Sequence, residues 1–558
     1  MKASVLALVF GVLYFVGLSH PALVDYDEAG YAVVSKGMHE TGNYLEPVLN
    51  GETFFEKPPF LYWMQCVSYS IFGVNTVAAR APTALSALLL VVVLYLGTRK
   101  ELGEPAAVVS GLVLATSLLF VGLARVSFVD MPLTLWFVAT LLLFHRALER
   151  DLESKGRGLL PFLGACACAG LATLTKGAIG ILFPVGAALV HLILLRRFSI
   201  LLRPLWLAGG LVTMLGVGFS WYLLLGLTRP EGFSFLKELF LVHHVGRFTE
   251  PMQGHGGSVL FYVPVVFLGL LPWSLLLLPA VDRATLVDTH SSRARLLRLF
   301  GIFSVIAFLF FSASATKLPN YALPVFPGAA LWIGDLLGGE RASAALRSRR
   351  ARAALASTVV ILSSLAALMV ASHFAVGSLS GLPERAVREQ PGLEYPIRLG
   401  AGPWLMAVAF VLGAAGLWVG FRRGNVGAMV VALAASFFGA ELACVVFLAP
   451  RFERHFQQPL LRLAKEASTR LSPDERILML GLRHRASVIF EAGRNTEYCT
   501  YRIKVLNEAL AADRPRIGLT TQHFFEQFKE SNGLERLASD RGYVLFRGGP
   551  SRACEVDR

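Results

Sequence analysis

The sequence has little charge for its length. Asp, Glu, Lys and Arg make up 16% of its 558 residues, whereas about 25% is usual in soluble globular proteins. Hydrophobic residues make up 55%, and the mean hydropathy is +0.58. Because so few charges cannot cover a folded surface in water, the composition excludes a soluble enzyme and a disordered chain.

Cysteine is also scarce, with six residues scattered along the chain. They show neither the paired CxxC spacing of a zinc site nor the density of a small disulfide-rich domain. The sequence also contains no Walker loop, no HExxH motif and no GxGxxG motif after a predicted strand. Nucleotide binding and zinc-protease chemistry therefore have no sequence signal.

Apolar runs of about 20 residues are abundant, and this is the length that crosses a hydrocarbon core of ~30 Å as a helix. The net charge of +14 does not indicate nucleic-acid binding, because the Lys and Arg residues lie in short loops between these runs. We predict a polytopic α-helical membrane protein with about 13 transmembrane helices. The predicted spans are residues 3–19, 74–98, 104–124, 131–147, 159–174, 178–195, 205–226, 258–280, 299–314, 321–338, 354–376, 403–421 and 426–449.

Lys and Arg are concentrated in every second loop. By the positive-inside rule these loops face the cytoplasm, so the other loops and the C-terminal end face the outside. In a bacterium that outside is periplasmic or extracellular, and chemistry there needs a pre-activated substrate because ATP is absent. The basic loops contain Arg99 and Lys100; Arg146, Arg150, Lys155 and Arg157; Arg196, Arg197 and Arg203; Arg283, Arg293, Arg295 and Arg298; Arg341 to Arg352; and Arg422 with Arg423.

Two domains are predicted. Residues 1–449 form the transmembrane domain, which includes an outer loop at 20–73, and residues 450–558 form a soluble periplasmic α/β domain. About 100 residues are enough for such a domain to have its own core. Its predicted strands are 476–482, 516–521 and 542–546, and its predicted helices are 501–512 and 522–529.

Two acidic positions stand out on the outer side. Asp27 and Glu28 precede a predicted helix at about 29–41, which Asp27 would cap and whose dipole would favour Glu28. Asp130 follows a very short outer turn, where it would cap the next helix or face a polar cavity, since a charge at that depth is costly. If both acids line one cavity, they would provide a general base and an orienting partner.

Three lysines lie at the same outer boundary: Lys57, Lys176 and Lys317. Such side chains commonly extend toward lipid headgroups, which requires no enzyme. The functional interpretation is a cationic socket that stabilises a departing lipid phosphate. Glu56 and His255 carry ligand types that zinc accepts, although a loop histidine is more often a polar surface residue.

Taken in order, the outer residues resemble a known family. The sequence is similar to the polyprenyl-phosphate-sugar glycosyltransferases of the GT-C superfamily, in particular the aminoarabinose lipid A transferases and the bacterial protein-mannosyltransferase-like group. The resemblance covers about residues 20–340. The predicted order of 13 transmembrane helices followed by an outer α/β domain extends it to the whole chain. It is carried by Asp27-Glu28 with Tyr31, Phe55-Glu56-Lys57-Pro58, Asp130-Met-Pro, Lys176-Gly177, Arg247-Phe248, Gly254-His255, and Lys317-Leu-Pro-Asn-Tyr321 with Leu323-Pro324.

The resemblance implies an enzyme of the bacterial inner membrane. It would transfer a sugar from undecaprenyl (polyprenyl) phosphate to lipid A, a glycan or a protein on the periplasmic face. We expect a monomer that binds the donor, the acceptor and membrane lipid but no nucleic acid. The aminoarabinose enzymes usually have Thr-Arg after the acidic pair, where this chain has Ala29-Gly30.

Residue roles follow from the same resemblance. A divalent metal, zinc, is expected to have a structural role at Glu56 and His255. The resemblance implies that Asp27 is the principal catalytic carboxylate, that Asp130 is a second catalytic acid in the same cavity, and that Lys57, Lys176 and Tyr321 hold the lipid phosphate, with Lys57 counted among the catalytic residues. Glu28 and Lys317 are predicted to bind substrate because they lie on the same outer face.

Two other classes remain as alternatives. A lipid-sugar flippase or secondary transporter would also be a basic helical bundle. Transporters, however, place polar residues near the bilayer midplane and show internal repeats, whereas here the polar residues are concentrated at the outer face and no repeat is evident. A non-catalytic assembly partner is the third interpretation, and Asp27 would then be dispensable.

Overall fold

Helices form most of the first 449 residues, and a small mixed sheet follows near the C-terminal end of the computed structural model. The predicted fold class, a polytopic helical protein with a C-terminal α/β domain, is confirmed. The structure describes residues 2–237, 239, 246, 256–339, 342–375, 387–388, 390–472, 474–482, 485–499, 516–530 and 533–548.

Hydropathy alone located the membrane helices well. Within the described ranges, 8 helices are long and apolar enough to cross a membrane. Three further pairs of bent helices reach that length only if the two helices of each pair form one span. Two shorter apolar helices, Ser4–Phe15 and Ile179–Leu194, coincide with the remaining predicted spans. Every predicted run thus has a helical counterpart, while the number of crossings stays a prediction.

The helices of this part are numbered in chain order, with single turns left out. They are α1 (Lys2–Phe15), α2 (Asp27–Thr41), α3 (Phe60–Phe72), α4 (Thr76–Leu102), α5 (Glu104–Ala115), α6 (Leu118–Ala124), α7 (Asp130–Glu153), α8 (Leu159–Lys176), α9 (Ile179–Leu194), α10 (Pro204–Gly218), α11 (Ser220–Thr228), α12 (Tyr262–Gly269), α13 (Ser292–Ala313), α14 (Phe326–Gly338), α15 (Arg349–Ala375) and α16 (Gly402–Arg422).

The outer loop predicted at 20–73 is largely helical. It contains α2, a short hairpin of β1 (Val48–Leu49) and β2 (Glu52–Thr53), and α3. Helix α2 starts at Asp27, so this residue is the first of the helix, and the cap position belongs to Tyr26. The helix ends at Gly42, whose φ of 71° is the left-handed conformation that glycine adopts without strain.

The last membrane helix, α17, continues without a break from Val426 to Thr469. The boundary predicted at 449–450 therefore lies inside a helix rather than in a linker. Two π-helical turns, Cys444–Leu448 and Glu453–Gln457, lie just before Pro450 and Pro459. A proline lacks the amide hydrogen and crowds the preceding turn, and these wider turns accommodate both prolines within the helix.

The C-terminal domain is a five-stranded sheet in the order β4-β3-β5-β7-β6. Strands β3, β4 and β5 are parallel, while β7 pairs antiparallel with β5 and β6. The three predicted strands are present, β4 and β6 were missed, and the helix predicted at 501–512 lies outside the described residues. The elements are β3 (Ile477–Leu480), α18 (Ala486–Ala492), β4 (Thr496–Cys499), β5 (Arg516–Thr521), α19 (Gln522–Phe528), β6 (Leu534–Asp540) and β7 (Tyr543–Gly548).

The C-terminal domain packs directly on the outer segment. Ala29 and Val33 of α2 belong to the same buried cluster as Ile489 and Phe490 of α18. At the hairpin, the Asn50 side chain accepts a hydrogen bond from the Thr496 amide (2.8 Å) and donates one to the Thr496 carbonyl (2.9 Å). Helix α2 is therefore held between the membrane helices and the sheet domain.

Candidate active site

Asp27 begins helix α2 with a half-buried side chain. Within the described part of the chain, no hydrogen bond or ion pair is found for its carboxylate. The helix dipole favours a negative charge at this position. A carboxylate with unused acceptor oxygens can take a proton or a hydrogen bond from a bound hydroxyl.

Tyr62 lies close to Asp27 and is fully buried. Among the described residues its hydroxyl has no hydrogen-bond partner. Burial raises the pKa of this hydroxyl well above its usual range, and the nearby Glu56 and Asp27 carboxylates raise that pKa further. The phenol therefore stays protonated, so that it remains a hydrogen-bond donor beside two acids.

Lys57 is a buried cation next to this acidic group, with 7% of its surface exposed. Its Nζ lies 3.3 Å from the Glu56 carbonyl oxygen and 3.9 Å from the Glu56 carboxylate. A buried ammonium needs such a counter-charge to remain ionised. Asp27, Glu56, Lys57 and Tyr62 therefore form one polar group at the start of α2 and α3.

A second polar group surrounds Asp130, the first residue of α7. The Lys176 ammonium, at the end of α8, lies 2.5 Å from one Asp130 oxygen, and the Asn320 amide donates to the other at 2.8 Å. The Lys176 ammonium also lies 4.3 Å from the centre of the Tyr321 ring, a cation–π contact. Asp130, Lys176 and Tyr321, which were predicted from distant motifs, are thus brought together.

The two polar groups are neighbours through the turn that precedes Asp130. Val129 belongs to the same buried cluster as Tyr31 and Tyr62. Shortly before it, the Ser127 amide donates to the Glu28 carboxylate at 2.9 Å. The acids predicted to share one cavity are therefore connected through packed residues of α2, α3 and the start of α7.

Glu28 has very different surroundings from Asp27. It is fully buried, and the Arg80 guanidinium donates to both of its oxygens at 2.7 and 2.8 Å. The amides of Val24 and Ser127 occupy its remaining lone pairs. The protein thus fills the hydrogen-bond acceptor sites of Glu28, which connects α2, α4 and the turn before α7. The substrate contact predicted for Glu28 is therefore not used in the proposed reaction.

Lys317 is likewise fully engaged by the protein. Its ammonium donates to the carbonyl oxygens of Phe311, Ser312 and Ser314, at the end of α13. An ammonium has three N–H donors, so this arrangement uses all of them to cap the helix. Burial also lowers the pKa of Lys317. The phosphate contact predicted for this residue does not enter our proposal either.

The predicted zinc pair is Glu56 with His255, and His255 lies outside the described residues. Within the ranges that the structure describes, no group of three or more His, Cys, Asp and Glu side chains could hold a metal ion. Glu56 faces Lys57 and Tyr62. The metal stays a prediction, and no step of the proposed reaction depends on it.

Sequence reasoning missed three residues that shape the site. Asn320 lies inside one of the family motifs, but an uncharged amide side chain in a sequence does not by itself indicate a role in the site. Arg80 did give one, since an arginine inside a predicted span must be paired. Asp25 was passed over although it accepts from the Arg485 guanidinium (3.2 Å) and the Ser487 amide (2.9 Å) of the C-terminal domain.

Part of the chain is similar to proteins named as mannosyltransferases and arabinosyl transferases. Residues 56–222 match the family model for dolichyl-phosphate-mannose-protein mannosyltransferase. A crystal structure of ArnT from Cupriavidus metallidurans bound to undecaprenyl phosphate superposes with a TM-score of 0.77, covering 98% of this chain and 97% of that one at 24% identity. The predicted resemblance to the GT-C glycosyltransferases is confirmed. This chain shares the fold of that protein over nearly its whole length.

Sequence relatives agree with the fold. An undecaprenyl phosphate-alpha-4-amino-4-deoxy-L-arabinose arabinosyl transferase from Enterobacter sp. (strain 638) is 32% identical over 328 residues. A transferase of the same description from Yersinia enterocolitica is 31% identical over 327 residues. These matches cover 58% of the chain, which spans 57% and 56% of the two relatives. The sequence similarity is therefore limited to somewhat more than half of the chain and of each relative.

Proposed function

We propose that this protein is a multi-pass membrane glycosyltransferase that moves a sugar from a polyprenyl-phosphate donor, of the undecaprenyl type, to a cell-envelope acceptor. The observation that carries the proposal is that the Asp27 carboxylate, which has no hydrogen bond or ion pair among the described residues, occurs together with two buried ammonium groups, Lys57 and Lys176. A glycosyl transfer from a lipid phosphate needs one group that takes a proton and others that receive a leaving phosphate.

In the proposed reaction, Asp27 accepts the proton of the acceptor hydroxyl as its oxygen attacks the anomeric carbon. The bond from that carbon to the phosphate oxygen breaks, and polyprenyl phosphate leaves with the electron pair. Lys57 and Lys176 stabilise the phosphate charge, and Tyr62 donates a hydrogen bond within the site. Asp130 and Asn320 hold Lys176 in place, and Tyr321 covers its ammonium.

An apolar cavity is consistent with a donor that carries a lipid chain. A cavity of about 640 Å³ lies between α12, α13 and α14, where its lining includes Val266, Val305 and Trp332, and it extends to Leu286 and Arg298 on the side of the basic loops. Val266 lies one helical turn from Tyr262, whose hydroxyl contacts Leu318 next to the second polar group. A polyprenyl chain in this cavity would bury apolar surface while its phosphate reaches Lys176.

We place the site on the periplasmic face of the inner membrane, because the proposed catalytic groups lie on the side opposite the basic loops. The acceptor class is lipid A, a glycan or a protein. ArnT-like relatives are named for aminoarabinose, and Gly30 of this chain occupies the position where that group usually has arginine. The donor test therefore compares sugars with and without an amino group.

The direct test is transfer by the purified protein in nanodiscs, with synthetic undecaprenyl-phosphate sugars and product detection by mass spectrometry. Asp27→Asn should lower kcat by at least about 100-fold, because an amide cannot accept the proton. Its thermal midpoint should stay unchanged. Glu52→Gln, which removes one charge from an exposed residue of the same segment, serves as the matched control and should retain kcat.

Near-normal transfer by Asp27→Asn would refute the proposed role of this carboxylate. Movement of the lipid-linked sugar across vesicles without any transfer product would instead favour the flippase alternative. The acceptor is identified by comparing envelope lipids, glycans and proteins of cells with and without the chain.

A further inference from the structure

The C-terminal domain contacts the outer segment two residues before Asp27. There the Asp25 carboxylate accepts a hydrogen bond from the Ser487 amide at 2.9 Å and lies 3.2 Å from the Arg485 guanidinium. Ser487 is in the first turn of α18, so Asp25 satisfies an amide at the start of a helix from the other domain. Although burial lowers the pKa of Arg485, the Asp25 carboxylate raises it overall.

The backbone between Asp25 and Asp27 is strained. Tyr26 has a φ of 71° and a ψ of −109°, a combination that a residue with a Cβ adopts only when its surroundings impose it. The Tyr26 side chain is 55% exposed, so its own packing contributes little to that constraint. The constraint has to come from the residues on either side.

Both sides are fixed, and by different domains. On one side Asp25 is bound by Arg485 and Ser487 of the C-terminal domain. On the other side Glu28 is bound by Arg80 of the membrane helix α4. Asp27 lies between these two anchors and is itself unengaged among the described residues.

We propose that Asp25 is a positioning residue through which the C-terminal domain sets the direction of the Asp27 carboxylate. The inference rests on the proposed function of Asp27 as the proton acceptor. It makes the C-terminal domain part of the catalytic apparatus, because the domain supplies one of two anchors that hold the strained turn. A misplacement of about 1 Å at a reacting group can cost about 100-fold in rate.

A second contact between the same domains provides a matched control. Asn50 also makes two hydrogen bonds to the C-terminal domain, both to the backbone of Thr496. It lies in the β1–β2 hairpin and takes no part in the proposed chemistry. Asp25→Ala and Asn50→Ala therefore each remove two polar contacts between the domains, but only the first lies next to Asp27.

The experiment measures kcat, the KM for an undecaprenyl-phosphate sugar and the thermal midpoint of full-length variants in nanodiscs. Asp25→Ala should lower kcat about 10- to 100-fold with KM changed less than about twofold. Asp25→Ala and Asn50→Ala should lower the thermal midpoint by similar amounts. Asn50→Ala, however, should keep kcat within about twofold of the unsubstituted protein. Asp25→Asn retains an oxygen for the Ser487 amide and should restore part of kcat.

A double variant tests the partner. If Arg485 acts through Asp25, Asp25→Ala combined with Arg485→Ala should lower kcat no further than Asp25→Ala alone. Equal kcat losses in Asp25→Ala and Asn50→Ala would overturn the inference, as would a kcat loss no larger than the loss of folded protein. Those results leave the proposed function intact if Asp27→Asn is inactive, whereas an active Asp27→Asn refutes the function itself.

Discussion

Asp27 and Glu28 are neighbours in sequence, but one faces the proposed site and the other faces the protein core. Glu28 has both oxygens occupied by Arg80 and by backbone amides, whereas Asp27 has no such partner within the described residues. A carboxylate whose acceptor sites are filled stabilises the fold, and one that is left open is available to a substrate. The two residues carry the same charge, so hydrogen-bond saturation and burial, rather than charge, separate the two roles.

The largest stability effect should come from Glu28→Gln. The amide nitrogen would place a donor against Arg80 and against the backbone amide of either Val24 or Ser127, and the substitution would leave the Arg80 charge buried without its partner. Breaking a buried pair in this way typically costs about 3–5 kcal/mol. Thermal unfolding should therefore show a clearly lowered midpoint for Glu28→Gln and an unchanged one for Asp27→Asn.

That pair of variants can contradict the comparison. If Asp27→Asn lowers the thermal midpoint as much as Glu28→Gln does, the two carboxylates share a structural role. Arg80→Lys offers a second check, since lysine keeps the charge but cannot donate in the two-pronged geometry of arginine. It should be less destabilising than Glu28→Gln.

The same distinction separates two lysines. Lys317 donates to three carbonyl oxygens, while Lys176 has one acidic partner and an aromatic face. We expect Lys176→Met to raise the KM for the lipid-linked donor about 10-fold or more, because charge-assisted phosphate contacts are worth roughly 1.5–3 kcal/mol. Lys317→Met should lower the thermal midpoint and leave the KM of the folded enzyme nearly unchanged.

Donor titration in nanodiscs distinguishes the two lysines directly. Lys176→Met also leaves the Asp130 charge without its ammonium, so Lys176→Arg is the more conservative companion and should recover part of the affinity. If Lys317→Met raises the donor KM as much as Lys176→Met does, then the number of hydrogen bonds that the protein already makes to a side chain does not predict its function in this site.

The smallest expected effect concerns the strained turn at Tyr26. Tyr26→Gly and Tyr26→Ala both remove the ring, but only glycine adopts a φ of 71° and a ψ of −109° without strain. The glycine variant should be more stable than the alanine variant by about 1 kcal/mol. A thermal midpoint for Tyr26→Gly at or below that of Tyr26→Ala would show that the turn is not strained in the folded protein.

Much of the fold follows from the sequence because a membrane helix is a long, local and strongly apolar signal. The predicted runs at 74–98 and 403–421 became Thr76–Leu102 and Gly402–Arg422. The C-terminal strands at 476–482 and 516–521 were found in the same way, from buried apolar residues. Strand β6, Leu534–Asp540, was missed because it carries exposed polar residues on an edge of the sheet.

The site was harder to predict because it depends on contacts between distant residues. Asp130, Lys176 and Tyr321 were grouped through the family resemblance, and no local spacing would have joined them. The contact between Asp25 and Arg485 spans 460 residues and left no periodicity to detect. Glu28 and Lys317 were assigned to the substrate because a sequence shows that a residue is charged but not how many of its hydrogen bonds the protein already fills.

The continuous helix α17 fixes the orientation of the C-terminal domain relative to the membrane domain. It extends from Val426 to Thr469, and the C-terminal sheet domain follows at its outer end. Each residue added within an α-helix turns the remainder of the chain by about 100° and advances it by about 1.5 Å. One residue inserted near Ala449 would thus swing Arg485 away from Asp25, while an insertion of about one full turn would bring it back to nearly the same bearing, only farther out. The length of this helix, counted in turns, is therefore part of what aligns the two anchors of the strained turn at Tyr26.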